Sequence, residues 1–475
     1  MSKSVQAITW AIGALTGLLV LAAITLFYFL DTSAIKPQLE SAVSEVLGME
    51  VKVSGRLGIG FFPGLRVTLN DVHIRNRGTE IAIAKQAKVG VNFIPLLYKS
   101  VRINQIVLDH PSILIVKDRD GRFNFEQSDG AQKTLADLSL ASISMTGGTF
   151  RYVDQHTKAE FKTDDCSLEV SRFQLTGRGR PGIMNKLSLA TDIVCRVIQT
   201  QDYVASDLRL TVAGQGGIFD LKPLTMRAYA GQGSGAIQAD FTGDVPRYQL
   251  RYTLSQFRIE TFLKNLPTQQ SVEGPMDFSA TLSMQGKTMN SLRQTSEGHI
   301  SLRGKNLILN GRNLDQEFAR FESSQRFNLV DVGALLFAGP AGLVVTKGYN
   351  FASILQEPEG RSEIRTIVSD WKVERGVALS QDVAMSTDQN RLALQGRLDF
   401  ANKQLKGVNV ALIDDKGCIK VQQTIHGTFK KPVIEKPSVI KSLSGPVVSL
   451  LKPVKELLPG GGCEVFYTGS VASPK

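Results

Sequence analysis

From Val51 onward, the apolar residues of this 475-residue chain recur at every second position. Leu65/Val67/Leu69, Val89/Val91/Phe93, Leu208/Leu210/Val212, Leu250/Tyr252/Leu254 and Phe278/Ala280/Leu282/Met284 alternate with polar or small partners. Leu392/Leu394/Leu398/Phe400 do so too, with Gln395, Arg397 and Asp399 on the other side. An extended chain presents successive side chains to opposite faces, so each run predicts a strand with one apolar and one wet face. Asp118-Arg-Asp-Gly121, Thr146-Gly-Gly148, Gly214-Gln-Gly-Gly217, Gly231-Gln-Gly-Ser-Gly235 and Gly396 separate the runs and read as turns. Antiparallel hairpins and meanders are expected, not βαβ units.

Helices are few. Ile35, Leu39, Val43 and Val46 recur at helical spacing before Gly48, and Leu314, Phe318 and Phe321 mark a second amphipathic helix. Shorter helices are expected over Ile259 to Leu266 and Met289 to Ser296, and a buried turn or an interfacial wedge over the charge-free Val332 to Thr346, which Gly339-Pro340 interrupts. So few helices cannot cover so many apolar strand faces. Either sheets stack on one another as sandwiches, or a single sheet curls into a trough whose inside is filled from elsewhere. Periodicity alone leaves both open.

One segment breaks the pattern. Ser4 to Leu30 carries no charge, and Val5 to Leu30 holds 20 apolar residues in 26. At about 1.5 Å per residue it is long enough for a helix to cross about 30 Å of hydrocarbon, and longer than a signal-peptide core. An uncleaved anchor is expected, with Lys3 in the cytoplasm and the chain from Asp31 translocated; Thr32-Ser-Ala34 keeps cleavage as the alternative. Outside this segment roughly two residues in five are apolar, lean for a single thick core.

The translocated compartment shapes the reading of the cysteines. Cys166, Cys195, Cys418 and Cys463 form no C-x-x-C pair and have no histidine near enough for a zinc knuckle. Cys166 and Cys195 are placed symmetrically about the turn-like Gly177-Arg-Gly-Arg-Pro-Gly182, so a hairpin there sets the two thiols opposite each other. Cys418 and Cys463 then pair and tie down the basic, Pro-containing tail; four buried free thiols are the alternative.

Catalytic chemistry finds little support. His73, His110, His156, His299 and His426 lie far apart and fit no metal-ligand spacing, and no G-x-S-x-G or G-x-G-x-x-G occurs. Gly286-Lys-Thr288 resembles the end of a phosphate loop, but Thr281 stands where its first glycine belongs. No catalytic residue, metal or cofactor is assigned. The excess of 55 Lys+Arg over 44 Asp+Glu is mild for this length, and no nucleic-acid partner is expected. Its densest acid-free stretch outside the tail, with Arg172, Arg178, Arg180 and Lys186, reads as a solvated loop or as a site attracted to anionic lipid headgroups.

Several fragments, in order, resemble the AsmA family. They are the anchor and first helix, Val53-Ser-Gly55, Phe61-Phe-Pro-Gly64-Leu-Arg-Val-Thr-Leu-Asn-Asp71, Val91-Asn-Phe-Ile-Pro95, Ile106-Val-Leu-Asp-His-Pro111, Asp120-Gly-Arg-Phe-Asn124 and Gly147-Gly-Thr-Phe-Arg-Tyr152. Leu307-Ile-Leu-Asn-Gly311, Phe327-Asn-Leu-Val-Asp331 and Leu392-Ala-Leu-Gln-Gly396 extend the likeness. It is densest over residues 1–155 and 290–430, and 196–285 match only in strand character.

The resemblance implies a protein anchored in the inner membrane of a diderm bacterium, with its bulk in the periplasm. Its fold would be mainly β: an anchor, then an elongated, curved antiparallel sheet forming an open apolar groove, as in chorein-like lipid-transfer proteins. That groove would hold phospholipid acyl chains and support lipid transfer to, or homeostasis of, the outer membrane. A non-enzymatic scaffold for outer-membrane protein assembly, acting on outer-membrane proteins or envelope factors, is the alternative. Alternation nominates Leu250, Tyr252, Leu254, Phe278, Leu282, Leu392, Leu394, Leu398 and Phe400 as groove lining. The expected segments are 1–31 (head and anchor), 32–155 (first groove segment), 156–290 (central sheet), 291–430 (second family-like segment) and 431–475 (tail).

Overall fold

The computed structural model describes residues 49–60, 65–91, 103–125, 138–176, 183–200, 203–263, 271–311, 360–435 and 465–474, with isolated positions within 36–44, 313–319, 336, 438–439 and 463. The expected anchor, residues 1–31, lies outside them. No helix among the described residues is long and apolar enough to cross a membrane. The fold is mainly β, and the chain divides into two compact units: Met1–Thr134 with Leu140–Ser167, and Leu135–Ser139 with Leu168–Lys475.

In the first unit β1 (Glu50–Val53) and β2 (Leu57–Gly60) both pair with β3 (Leu65–Asn76), which continues antiparallel through β4 (Thr79–Val91) to β5 (Ile103–Lys117). Val51, Val53, Leu69, Val72, Ala84 and Ala87 form its core. The described positions of the first helix lie on this core through Val43. Glu40 accepts the Val53 N–H at 2.7 Å and Ser44 the Val51 N–H at 2.9 Å, so these side chains bond backbone groups of β1 that do not face β3. The helix thereby protects an edge that would otherwise offer free donors.

The next strand departs from expectation. β6 (Leu138–Asp154) pairs parallel with β5, from Gln105↔Ser142 to Lys117↔Asp154, where an antiparallel meander was expected. The Asp118–Gly121 turn does form: Asp118 Oδ1 accepts the N–H groups of Asp120 and Arg122. It makes one bridge, Lys117↔Phe123, before Asn124 bonds Val116 and Leu114 and ends the hairpin. The chain leaves β5 at residue 117 and re-enters at 138, long enough for the crossover a parallel pair requires. Thr146-Gly-Gly148 is a second correction, lying inside β6 and not in a turn. Gly147 has φ 62° there, and a side chain on it would meet the His110 ring at 2.7 Å.

The second unit is an antiparallel succession: β8 (Leu187–Thr200), β9 (Val204–Gln215), β10 (Ile218–Ala228), β11 (Gly231–Asp240), β12 (Arg247–Arg258), β14 (Pro275–Gln285), β15 (Glu297–Asn310), β16 (Arg361–Glu374), β17 (Val377–Ser386), β18 (Arg391–Asp399), β19 (Gln404–Ile413) and β20 (Ile419–Thr428). Short strands β13 (Ser271–Glu273), β21 (Lys431–Ile434) and β22 (Ser438–Val439) add to β15 and β20. β7 (Glu160–Leu175) runs from one unit into the other. β14 and β15 pair across residue 290, so the expected boundary there falls inside this unit. The helices at Ile259–Leu263 and Met289–Gln294 are present, and Leu314 and Phe318 of the expected amphipathic helix are buried in the core. Phe321 lies outside the described residues, as does the expected buried turn except Leu336, which is fully buried and accepts the Ser369 hydroxyl at 2.7 Å.

At the C-terminal end both sheet faces are covered. On one, Leu392, Leu394, Val410 and Leu412 share a core with Leu314, Phe318 and Leu336. On the other, Val368, Ala384, Ala393, Ala411 and Ile413 lie under Phe466, Tyr467 and Val471 of the tail. Cys418–Cys463 ties the tail down as expected, Cys166 and Cys195 are also disulfide-bonded, and no cysteine is free. The Arg391 guanidinium donates to the Val471 and Asp414 carbonyls and lies over the Tyr467 ring. The Tyr467 hydroxyl donates to Asp382, which also accepts the Ser470 N–H at 3.0 Å. Burial pushes the Asp382 carboxyl up, but the bonds from Ser470 and Tyr467 outweigh it and hold it below its ordinary value.

Tyr467→Phe is expected to lower unfolding stability by about 1 kcal/mol, read by thermal unfolding, because Asp382 loses a donor in a partly buried site. A depressed folded pKa contributes stability above the unfolded carboxylate value near 3.8, lost as pH falls through the lower folded value. The tail is therefore expected to stay docked at pH 5 to 8, which amide exchange at Tyr467 to Val471 checks. Non-reducing peptide mapping is expected to return Cys166 with Cys195 and Cys418 with Cys463.

Candidate functional site: a half-covered apolar face

The strand registers of the second unit align one apolar row: Val212, Leu221, Ile237, Leu250, Leu282, Gly298, Val373, Ala378, Leu398 and Leu405, one from each of ten paired strands. From Val373 to Leu405 the row is buried. From Val212 to Leu282 it is only half-buried. A neighbouring row through Leu210, Leu224, Gly235, Tyr252, Ala280, Ile300 and Trp371 runs beside it.

Tyr252 forms part of this floor. A side chain on Gly233 would collide with its hydroxyl, and one on Gly235 would meet its ring at 3.0 Å, so the phenol lies across the glycines of β11. Burial pushes that phenol's pKa up. The stretch Gly231-Gln-Gly-Ser-Gly235, expected as a turn, is thus the first half of a strand, its missing side chains making room for an aromatic ring. Gly396 likewise lies within β18.

Along β12, β14 and β15 burial increases in one direction. Leu250, Leu282 and Ile300 are half-buried, whereas Phe257, Met276 and Leu302, toward the other strand ends, are buried. Between Leu254 and Phe257 the β12 register shifts at Gln256, which has φ 53° and whose N–H is taken by Asp277 at 2.8 Å. The bulge bends the strand so that Phe257, with Ile259, Phe262 and Leu263 of the following helix, enters the core.

Of the nine nominated lining residues, Leu254, Leu392, Leu394 and Leu398 are buried members of the protein's own core. Tyr252, Phe278, Leu282 and Phe400 are partly buried against it, and Leu250 is half-buried. Val212, Leu221, Ile237 and Ile300 share the half-covered face but were not nominated. Lys222-Pro223 interrupts the alternation of β10, and the glycines of β11 disguise a strand as a turn.

The opposite face is polar. Concavities of about 630 Å³ and 560 Å³ lie on it, the first bordered by Thr253, Asp277, His299, Arg303 and Asp370. Its acids are engaged: Asp370 with Ser301 and Arg303, and Asp277 with Gln256. His73 sits between Glu80 and Asp71, and the Glu80 hydrogen bond raises its pKa. Among the described residues no group of His, Cys, Asp and Glu is placed to hold a metal. Thr288, end of the would-be phosphate loop, caps the Met289–Gln294 helix.

A charge at Leu394, 2% exposed, would be buried without a partner, whereas one at half-buried Leu250 would reach water. Leu394→Asp is expected to cost more than about 3 kcal/mol of stability and Leu250→Asp less than about 1.5 kcal/mol, compared by thermal unfolding.

The family model described as the AsmA family matches residues 1–180 and 185–333. It takes in residues 196–285, where individual motifs are weakest, and ends before the C-terminal strands. No curated protein and no solved structure matches the chain.

Proposed function

Because the chain belongs to the AsmA family, an envelope family, we propose that it binds phospholipid acyl chains on the half-covered face and supports lipid transfer to, or homeostasis of, the outer membrane. In this reading residues 1–31 anchor it in the inner membrane and the sheet works in the periplasm. The observation that carries the proposal is the apolar row from Val212 to Leu282, which remains half-exposed while its continuation to Leu405 is buried by the protein itself. Each acyl CH₂ buried there contributes about 0.8 kcal/mol, so a few methylenes per strand outweigh the loss of chain freedom. The device requires no catalytic residue, since a continuous lining supplies both affinity and path.

Photo-crosslinking of the full chain in cells tests the reading. Benzoylphenylalanine replacing Leu250 or Leu282 is expected to yield a phospholipid adduct, whereas replacement of Arg251 or Thr281, on the polar face, is not. Adducts no more frequent at Leu250 and Leu282 than at Arg251 and Thr281 would remove lipid from this face and favour a scaffold.

A further inference from the structure

One end of the second unit's strands has a distinct chemistry. The pairings Gln215↔Ile218, Asp240↔Arg247, Arg247↔Gln285, Ser283↔Glu297, Glu374↔Val377, Asp399↔Gln404 and Thr428↔Lys431 place six connections along the same end of the sheet. They are residues 216–217, 241–246, 286–296, 375–376, 400–403 and 429–430. They carry Lys287, Arg293, Arg375, Lys403 and Lys430, all exposed, against one acid, Asp244. The described connections at the opposite end carry Glu260, Asp315, Asp388, Asp414 and Asp415 against Lys416.

The basic end also projects apolar side chains. Met289 is 67% exposed, Val245 46%, Ile218 44% and Met184 39%. Met289 is held in place, because it opens a helix whose Thr288 cap and Ser291 bond each other reciprocally. The Gly286 N–H donates to the Pro246 carbonyl at 3.0 Å, which fastens the Val245 loop to the Met289 helix. Lys186, from the basic stretch of the sequence, ends the helical turn at this same end, its carbonyl accepting the Thr176 N–H.

We propose that this rim docks on an anionic lipid bilayer, with Met289 and Val245 entering the interfacial layer and the surrounding lysines and arginines meeting headgroups. Isolated exposed apolar residues are ordinary; ones set among cations on successive short connections fit a flat negative surface. A protein partner is less suited, since interface centres are depleted of lysine and three of the five cations here, Lys287, Lys403 and Lys430, are lysines. The inference does not require lipid on the apolar face, so crosslinking at Leu250 can fail without deciding it.

Hydrogen exchange of the full chain tests it, in nanodiscs of phosphatidylcholine alone or mixed with phosphatidylglycerol, with a second arm adding vesicles of the same lipids. Amides of 241–246 and 286–296 are expected to exchange at least about threefold more slowly with the anionic lipid. High salt, the pair Lys287→Glu and Arg293→Glu, and the pair Val245→Asp and Met289→Asp should each abolish the difference. Unchanged exchange in β16 to β19 shows that the variants remain folded. Equal exchange with the two lipids in both arms overturns the proposal and leaves the rim to an acidic protein partner.

Discussion

Every strand of the second unit has an apolar face that must be covered, and what covers it changes along the succession. From β16 to β19 the chain covers itself on both sides. Leu314, Phe318 and Leu336 close one face, and Phe466, Tyr467 and Val471 the other. The small side chains Ala384, Ala393 and Ala411 let the tail lie close to the sheet, and Cys418–Cys463 limits how far it can leave. From β9 to β15 the same face is only half-covered. Because burial drives folding in proportion to area removed from water, the first region is a stable base and the second is where further burial would gain most.

The alternation that made strands legible follows directly from backbone geometry, and it located β9, β12, β14 and β18. It could not distinguish a face covered by the protein from one left open. Leu250 and Leu394 have the same pattern, yet only Leu394 belongs to the buried core that Leu314, Phe318 and Leu336 share. That difference depends on contacts between segments distant in sequence, which periodicity does not contain. Glycine misled for a related reason. Gly147, Gly233 and Gly235 serve close approach of His110 and Tyr252 within strands, whereas Gly216 and Gly217 do occupy a turn. The residue type is the same, and the reason for it lies in the neighbouring strand.

The parallel β5–β6 pair shows the same limit. The Asp118–Gly121 turn has the chemistry of a hairpin and forms as one, but β4 already pairs with β5 as far as Ile113 and β6 pairs with it as far as Lys117, so no edge is left for a long return strand. A local signal was correct and its topological consequence was not. The cysteines were more legible, because pairing four of them leaves few choices and the chain between Cys418 and Cys463 contains no other thiol.

Burial along β12, β14 and β15 rises away from the basic rim, so the less covered part of the apolar face lies toward the strand ends that carry it. The Gln256 bulge contributes to this asymmetry. By turning Phe257 into the core it closes the far side with protein, while Leu250 and Leu282 stay accessible on the near side. An acyl chain on such a face would have its least obstructed exit toward the end bearing Lys287, Arg293 and Arg375. An anionic headgroup is stabilised there by charge that falls away within about 10 Å in physiological salt. At the opposite ends of β12, β14 and β15, Phe257, Met276 and Leu302 are buried in the protein's own core, so the same cations there would border a face already closed. Position relative to the bulge, more than net charge, therefore determines what this basic rim can do.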